Sequence, residues 1–249
     1  MIEHLQAVGA AVDAAKAAGN PNARMLVVTN CQMGRGRTTT GMVVACLWFH
    51  VTGRVKVKID ELEAAEAPEM LELRQAKAAA AANGTHHHGV AVGDADDDED
   101  DDDDEDDEMS LHRAALLNER EEARARHNAA LKNGWYSVVK ALTRVLPEGA
   151  FIKHLTDRVI DLCAKMQNLR EVVFDMQLQL ETGLLREHAR TVAKGKNFLI
   201  RYFFLICICG YLVECKHDGY KTKFSQWMRE RQEIVNLLEG VTFPQPFAK

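Results

Sequence analysis

Apolar residues recur at three- and four-residue steps over most of this 249-residue chain, and that spacing predicts helices. Ile2, Leu5, Val8, Val12 and Ala15 share one face of a short amphipathic helix over 2–18, which Gly19-Asn20-Pro21-Asn22 ends. Met25-Leu-Val-Val-Thr29 is a brief apolar run rich in β-formers, the one segment that reads as a buried strand. A glycine-containing loop over 31–37 follows it directly, and Thr38 to Phe49 reads as an apolar helix with its N-terminus facing that loop. Further along, Trp135, Val138, Val139, Leu142, Val145 and Leu146 share a face. So do Ile152, Leu155, Val159, Leu162, Met166, Leu169, Val173 and Met176, over one longer span. A third helix covers about 187–215 and a fourth runs from Phe224 to Leu238. The predicted architecture is therefore α/β but predominantly helical: a strand–loop–helix unit with a C-terminal helical layer.

The pattern fails between Val55 and Ala125. Glu/Ala-rich sequence gives way to an alanine tract, three histidines (His86 to His88) and an acidic run. Its centre, 76–110, lacks the apolar surface to fold alone and reads as a disordered insert. It separates a first part, 1–75, from a helical remainder, 111–249. The acidic run reads as a solvated spacer, and contiguous histidines in a Gly/Ala-rich linker as incidental, so no metal is expected.

Charge changes the picture once the insert is set aside. Residues 94–108 carry fourteen acidic side chains, so the overall −6 becomes +8 for the rest. A basic body suits a polyanionic ligand. The longest apolar stretch, Tyr202 to Val213, is about half the ~20 residues a bilayer span needs and reads as a buried helix. Six cysteines without a C-x-x-C pair point to a reducing, cytoplasmic setting. Cys207, Cys209 and Cys215 read as structural thiols in an apolar helix. No aromatic–basic interleaving suggests nucleic acid.

The candidate chemistry lies in Cys31-Gln-Met-Gly-Arg-Gly-Arg37-Thr38. A phosphate dianion needs several N–H donors converging on one point, and a tight loop ending at a helix N-terminus supplies them. Gly34 and Gly36 permit the close approach that a Cβ would block. Arg37 offers a planar, two-pronged grip on two phosphate oxygens. The amides of Gln32, Met33, Gly34, Arg35, Gly36 and Arg37 form the cradle, and Arg35 adds a second positive charge. The same field lowers a thiol pKa from about 8.5 to about 3.5–7.5, so Cys31 is the candidate nucleophile for a cysteinyl-phosphate intermediate. Thr38 is placed for its hydroxyl to contact that sulfur. The nucleotide-binding loop G-x-x-x-x-G-K-[ST] differs at both decisive places: Cys31 stands where its first glycine belongs and Arg37 where its lysine belongs. No cofactor is called for.

Asn30-Cys-Gln-Met-Gly-Arg-Gly-Arg-Thr-Thr-Thr-Gly-Met-Val resembles the loop of paladin-type proteins, especially plant and algal members. The resemblance resumes in Gly134-Trp-Tyr-Ser-Val-Val-Lys-Ala-Leu, Val159-Ile-Asp-Leu-Cys-Ala-Lys-Met-Gln-Asn-Leu-Arg-Glu, Arg201-Tyr-Phe-Phe-Leu-Ile-Cys and Phe224-Ser-Gln-Trp-Met-Arg-Glu-Arg. It implies a dual-specificity-like, phytase-like cysteine-phosphatase fold, with Cys31 as nucleophile, Arg37 as phosphate clamp and Thr38 supporting the thiolate. The implied substrates are inositol polyphosphates or phosphoinositides. The implied partners are a phosphorylated small molecule or lipid head group, with peripheral membrane contact in the lipid case, and the other repeats of a full-length protein.

Two departures stand out. Asn30 replaces the histidine that many cysteine phosphatases carry before the nucleophile. Only thirty residues precede Cys31, with Asp13 the sole aspartate among them, and no Asp-Pro acid loop follows. The chain is accordingly expected to be the C-terminal part of one repeat. The alternative function is an inactive pseudophosphatase serving as a phosphoinositide-binding or signalling scaffold.

Overall fold

The computed structural model describes residues 1–31, 36–55, 104–165, 167–182 and 188–243. The chain divides into two compact units, one of residues 1–65 and 134–249, the other of 66–133. Described residues of the second unit form one long helix, Asp104–Lys132. It begins inside the stretch read above as disordered, because the Ala, Leu, Glu and Arg that follow are strong helix formers and extend the helix back into the acidic run. Residues 76–103, with His86 to His88, lie outside the described residues.

In the first unit the helices are α1 (Ile2–Ala17), α2 (Gly36–Val51), α4 (Ser137–Val145), α5 (Gly149–Leu162), α6 (Leu169–Thr182), α7 (His188–Glu214), α8 (Phe224–Arg229) and α9 (Gln232–Glu239), the acidic-led helix of the second unit being α3. Helix α7 is the axis: α6, α2 and α5 all pack on it. It is long and apolar enough to cross a membrane. Here Leu199, Tyr202, Phe203, Ile206, Cys207, Cys209 and Leu212 are all completely buried within the fold. Such all-round burial, rather than one apolar stripe, explains why 202–213 reads as an unbroken apolar run.

Two segments read as single helices are each broken. The face shared from Ile152 to Met176 belongs to α5 and α6, because Asn168 caps α6: its side-chain Oδ1 accepts from the amides of Arg170 (3.0 Å) and Glu171 (3.4 Å). Likewise, 224–238 breaks at Arg231, whose backbone leaves helical geometry (φ −115°, ψ 79°). Its guanidinium is held by Glu214 and lies 4.1 Å from the centre of the Trp227 ring. The Tyr211, Phe224 and Trp227 rings then close the end of α7, with Trp227 Nε1 donating to Glu214 at 3.1 Å.

The strand expected over 25–29 is not one. No described residue belongs to a β-ladder. From Ala23 to Cys31 exposure nevertheless alternates residue by residue, with Leu26 and Val28 facing solvent at 87% and 79%. This is the period of a pleated strand without a neighbour to receive its N–H and C=O groups, and pairing is what turns an extended segment into a strand. The inner face does pack: a Cβ on Gly41 of α2 would stand 3.0 Å from the Thr29 side chain.

Behind this layer sits a buried polar cluster. Asp157 receives the Tyr202 hydroxyl at 2.6 Å and the Lys153 ammonium at 2.6 Å, with Arg170 Nη1 at 3.6 Å. Arg170 also grips Asp161, which accepts from Asn168 at 3.0 Å. Lys153 is 3% exposed and lies 4.1 Å from the Trp135 ring centre. Burial pushes its ammonium down from the ordinary lysine value, against the pull of Asp157. This cluster ties α5, the α5–α6 turn and α7 to one another.

Candidate active site

The site is assembled where the extended segment meets α2. Cys31 closes that segment and is half-buried. Its sulfur accepts a hydrogen bond from Thr38 Oγ1 at 3.0 Å. The two residues are seven positions apart in the sequence. Helix α2 opens at Gly36, and its first turn carries Arg37, whose side chain is exposed. Thr40 Oγ1 donates to the Gly36 carbonyl at 2.8 Å and steadies that turn. Gln32, Met33, Gly34 and Arg35 lie outside the described residues.

Two groups that local sequence reading missed reach the same place. A Cβ at Gly36 would stand 2.9 Å from Arg201 Nη1 and 3.6 Å from Gln167 Oε1. Arg201 comes from α7 and Gln167 from the turn before α6. Gly36, Thr39, Thr40, Val43, Gln167, Leu169 and Leu205 line a narrow cleft under the start of α2. The buried cluster fixes both newcomers, since Tyr202 follows Arg201 and Asn168 follows Gln167. The only hint of Arg201 in the sequence is a lone charge at the edge of an apolar run.

Asp13, the one upstream aspartate, is engaged by Arg54, whose guanidinium lies 5.1 Å from the Trp48 ring centre. It therefore serves as an anchor for the end of α1. Among the described residues no group of three or more His, Cys, Asp or Glu could hold a metal ion.

The other thiols differ from Cys31 in setting. Cys163 donates to Cys46 across 4.0 Å, which pulls the Cys46 thiol down to about 7 and, with burial, pushes Cys163 up. Burial pushes Cys207 up and takes Cys209 to about 12. Iodoacetamide at pH 6 should thus label Cys31 first and the half-buried Cys46 second. Cys207 and Cys209 should react only after unfolding. Peptide mapping of labelling against time, with Cys46→Ser as control, reads this order, and uniform slow labelling would remove the case for a reactive Cys31.

A family model for PTP-like phytases, described as "Inositol hexakisphosphate", matches residues 5–49, the stretch that holds most of α1, the extended segment, Cys31 and most of α2. Paladin of Gallus gallus is 25% identical over 244 residues, covering 94% of this chain and 21% of that protein. The chain is similar to paladins over nearly its whole length. Paladin of Danio rerio is 29% identical over 111 residues, 41% of this chain and 13% of its own length. Paladin of Homo sapiens is 27% identical over 147 residues, 55% of this chain and 17% of its own. The chain thus spans about a fifth or less of these curated paladins. No solved structure matches it. These matches support a phosphatase-like family, while the described residues remain helical throughout their regular structure.

Proposed function

We propose that this chain acts as a cysteine-dependent phosphatase on phosphate monoesters, with inositol polyphosphates or phosphoinositides as substrates. The observation that carries the reading is the 3.0 Å hydrogen bond from Thr38 to the Cys31 sulfur, made in front of the first turn of α2. In this reaction the Cys31 thiolate attacks phosphorus, an S–P bond forms and the P–O bond to the leaving group breaks. Arg37 and the loop amides hold the phosphoryl oxygens in line and take up their charge. Water then attacks the cysteinyl-phosphate, releasing inorganic phosphate and restoring the thiolate. Thr38 remains within reach of the departing sulfur.

The leaving oxygen needs a proton, and a positioned acid supplies about 10²–10⁴ in rate. Asp13 is committed to Arg54. That favours slow turnover in this chain, and it is the observation behind the second reading, a phosphate-binding scaffold. Binding requires the loop and Arg37 but no acid. The chain's ligand in either case is a phosphorylated small molecule or lipid head group, and the cytoplasm is the compartment that would keep Cys31 reduced.

Phosphate release from a panel of inositol polyphosphates, phosphoinositides and a phosphotyrosine peptide tests the proposal. Wild-type protein should release phosphate and Cys31→Ser should not. Tight binding of the same ligands by both proteins, with release from neither, would replace the enzyme with the scaffold.

A further inference from the structure

The first turn of α2 gathers positive charge from three sources. The helix N-terminus presents the positive end of its dipole. Arg37 stands on that turn, exposed. The third source is Arg201, whose Nη1 lies 2.9 Å from where a Cβ on Gly36 would sit. The absence of that Cβ is what admits the guanidinium, so Gly36 serves tertiary packing as well as loop geometry.

No described carboxylate pairs with Arg201 or Arg37. Besides its approach to Gly36, Arg201 lies 5.1 Å from the centre of the Phe198 ring. Three other half-buried arginines are matched to carboxylates: Arg54 with Asp13, Arg170 with Asp157 and Asp161, Arg231 with Glu214. A half-buried guanidinium set against a positive helix end repels it, and the arrangement becomes favourable only when an anion lies between them.

Arg201 is also not free to swing away at its base. Leu199 and Tyr202 on either side are completely buried, and the Tyr202 hydroxyl is fixed on Asp157 at 2.6 Å. The polar cluster therefore holds α7 so that residue 201 faces the loop. Its planar fork suits phosphate oxygens.

We propose that Arg201 is a specificity-determining residue that binds a second phosphate of the ligand, so that Arg37 and Arg201 together select multiply phosphorylated molecules over those with a single phosphate. This deepens the phosphatase reading above and rests on its placing of the first phosphate in the 31–37 loop.

Calorimetric titration of the full chain with inositol hexakisphosphate and with inorganic phosphate separates the two arginines. Arg201→Gln should weaken hexakisphosphate binding roughly tenfold, the loss of one charge-assisted contact, while inorganic phosphate affinity stays within about twofold. Arg201→Lys, which keeps the charge without the fork, should recover part of the loss, and Arg37→Ala should weaken both ligands. The salt dependence of hexakisphosphate binding should become shallower in Arg201→Gln, a change that a purely structural role would not produce. Unchanged hexakisphosphate affinity in Arg201→Gln overturns the proposal, as does an equal loss for both ligands, which would make Arg201 a prop for the loop. If wild type and Arg37→Ala bind both ligands equally weakly, the phosphate-loop reading itself fails and takes this inference with it.

Discussion

Asp157→Ala is expected to destabilise the fold by about 3–5 kcal/mol, the usual loss when one partner of a buried ion pair is removed. Asp157 is 8% exposed and is the acceptor on which Lys153 and Tyr202 converge. Without it the Lys153 ammonium keeps the Trp135 ring but loses its carboxylate at 2.6 Å, and burial already disfavours its charge. The completely buried Tyr202 hydroxyl would lose its acceptor as well. Urea denaturation reads the effect as a drop in midpoint at constant slope. Asp157→Asn should fall between the two proteins, since an amide oxygen can still accept from Tyr202. A loss below about 1 kcal/mol would mean that Lys153 finds water or another acceptor there, and the cluster would not be the clamp that fixes α7.

Arg37→Ala is expected to do the reverse, leaving the fold intact and removing the function. Its side chain is exposed and pairs with no described carboxylate, so the urea midpoint should be unchanged. Phosphate release should fall by about 10²–10³-fold or more, the range seen when one preorganised electrostatic contact to a reacting group is lost. Arg37→Lys should restore only a minor part, because a point charge does not reproduce the two-pronged grip. Release by Arg37→Ala within a few-fold of wild type would show that the reacting phosphate is held elsewhere. Measured side by side, the two variants separate the cluster that builds the site from the residue that serves it.

The contact of Thr38 with Cys31 was legible because near neighbours in sequence make it. Cys31 and Thr38 are seven positions apart, at the end of an extended segment and in the first turn of a helix. Helices α1, α2, α4 and α7 were legible for a similar reason, since a 3.6-residue period is a property of one segment. The break between α5 and α6 was not, because the apolar spacing from Ile152 to Met176 runs in phase across it. What ends the regularity is Asn168, whose side chain takes the amides of Arg170 and Glu171, a competition that counting apolar positions does not register.

The amino-acid sequence by itself determined the helical periods, the extended character of 25–29 and the contact of Thr38 with Cys31, all of which arise from interactions within a few residues. Whether 25–29 becomes a strand was decided by tertiary structure, because a ladder needs a second segment to supply donors and acceptors, and no described segment pairs with it. Tertiary structure alone also decided that Asp13 is tied to Arg54, that Asp157 gathers charged and polar groups from three parts of the chain, and that Arg201 arrives at Gly36 from far along the chain. Each depends on how helices pack, and packing is a sum over distant partners that no local pattern records.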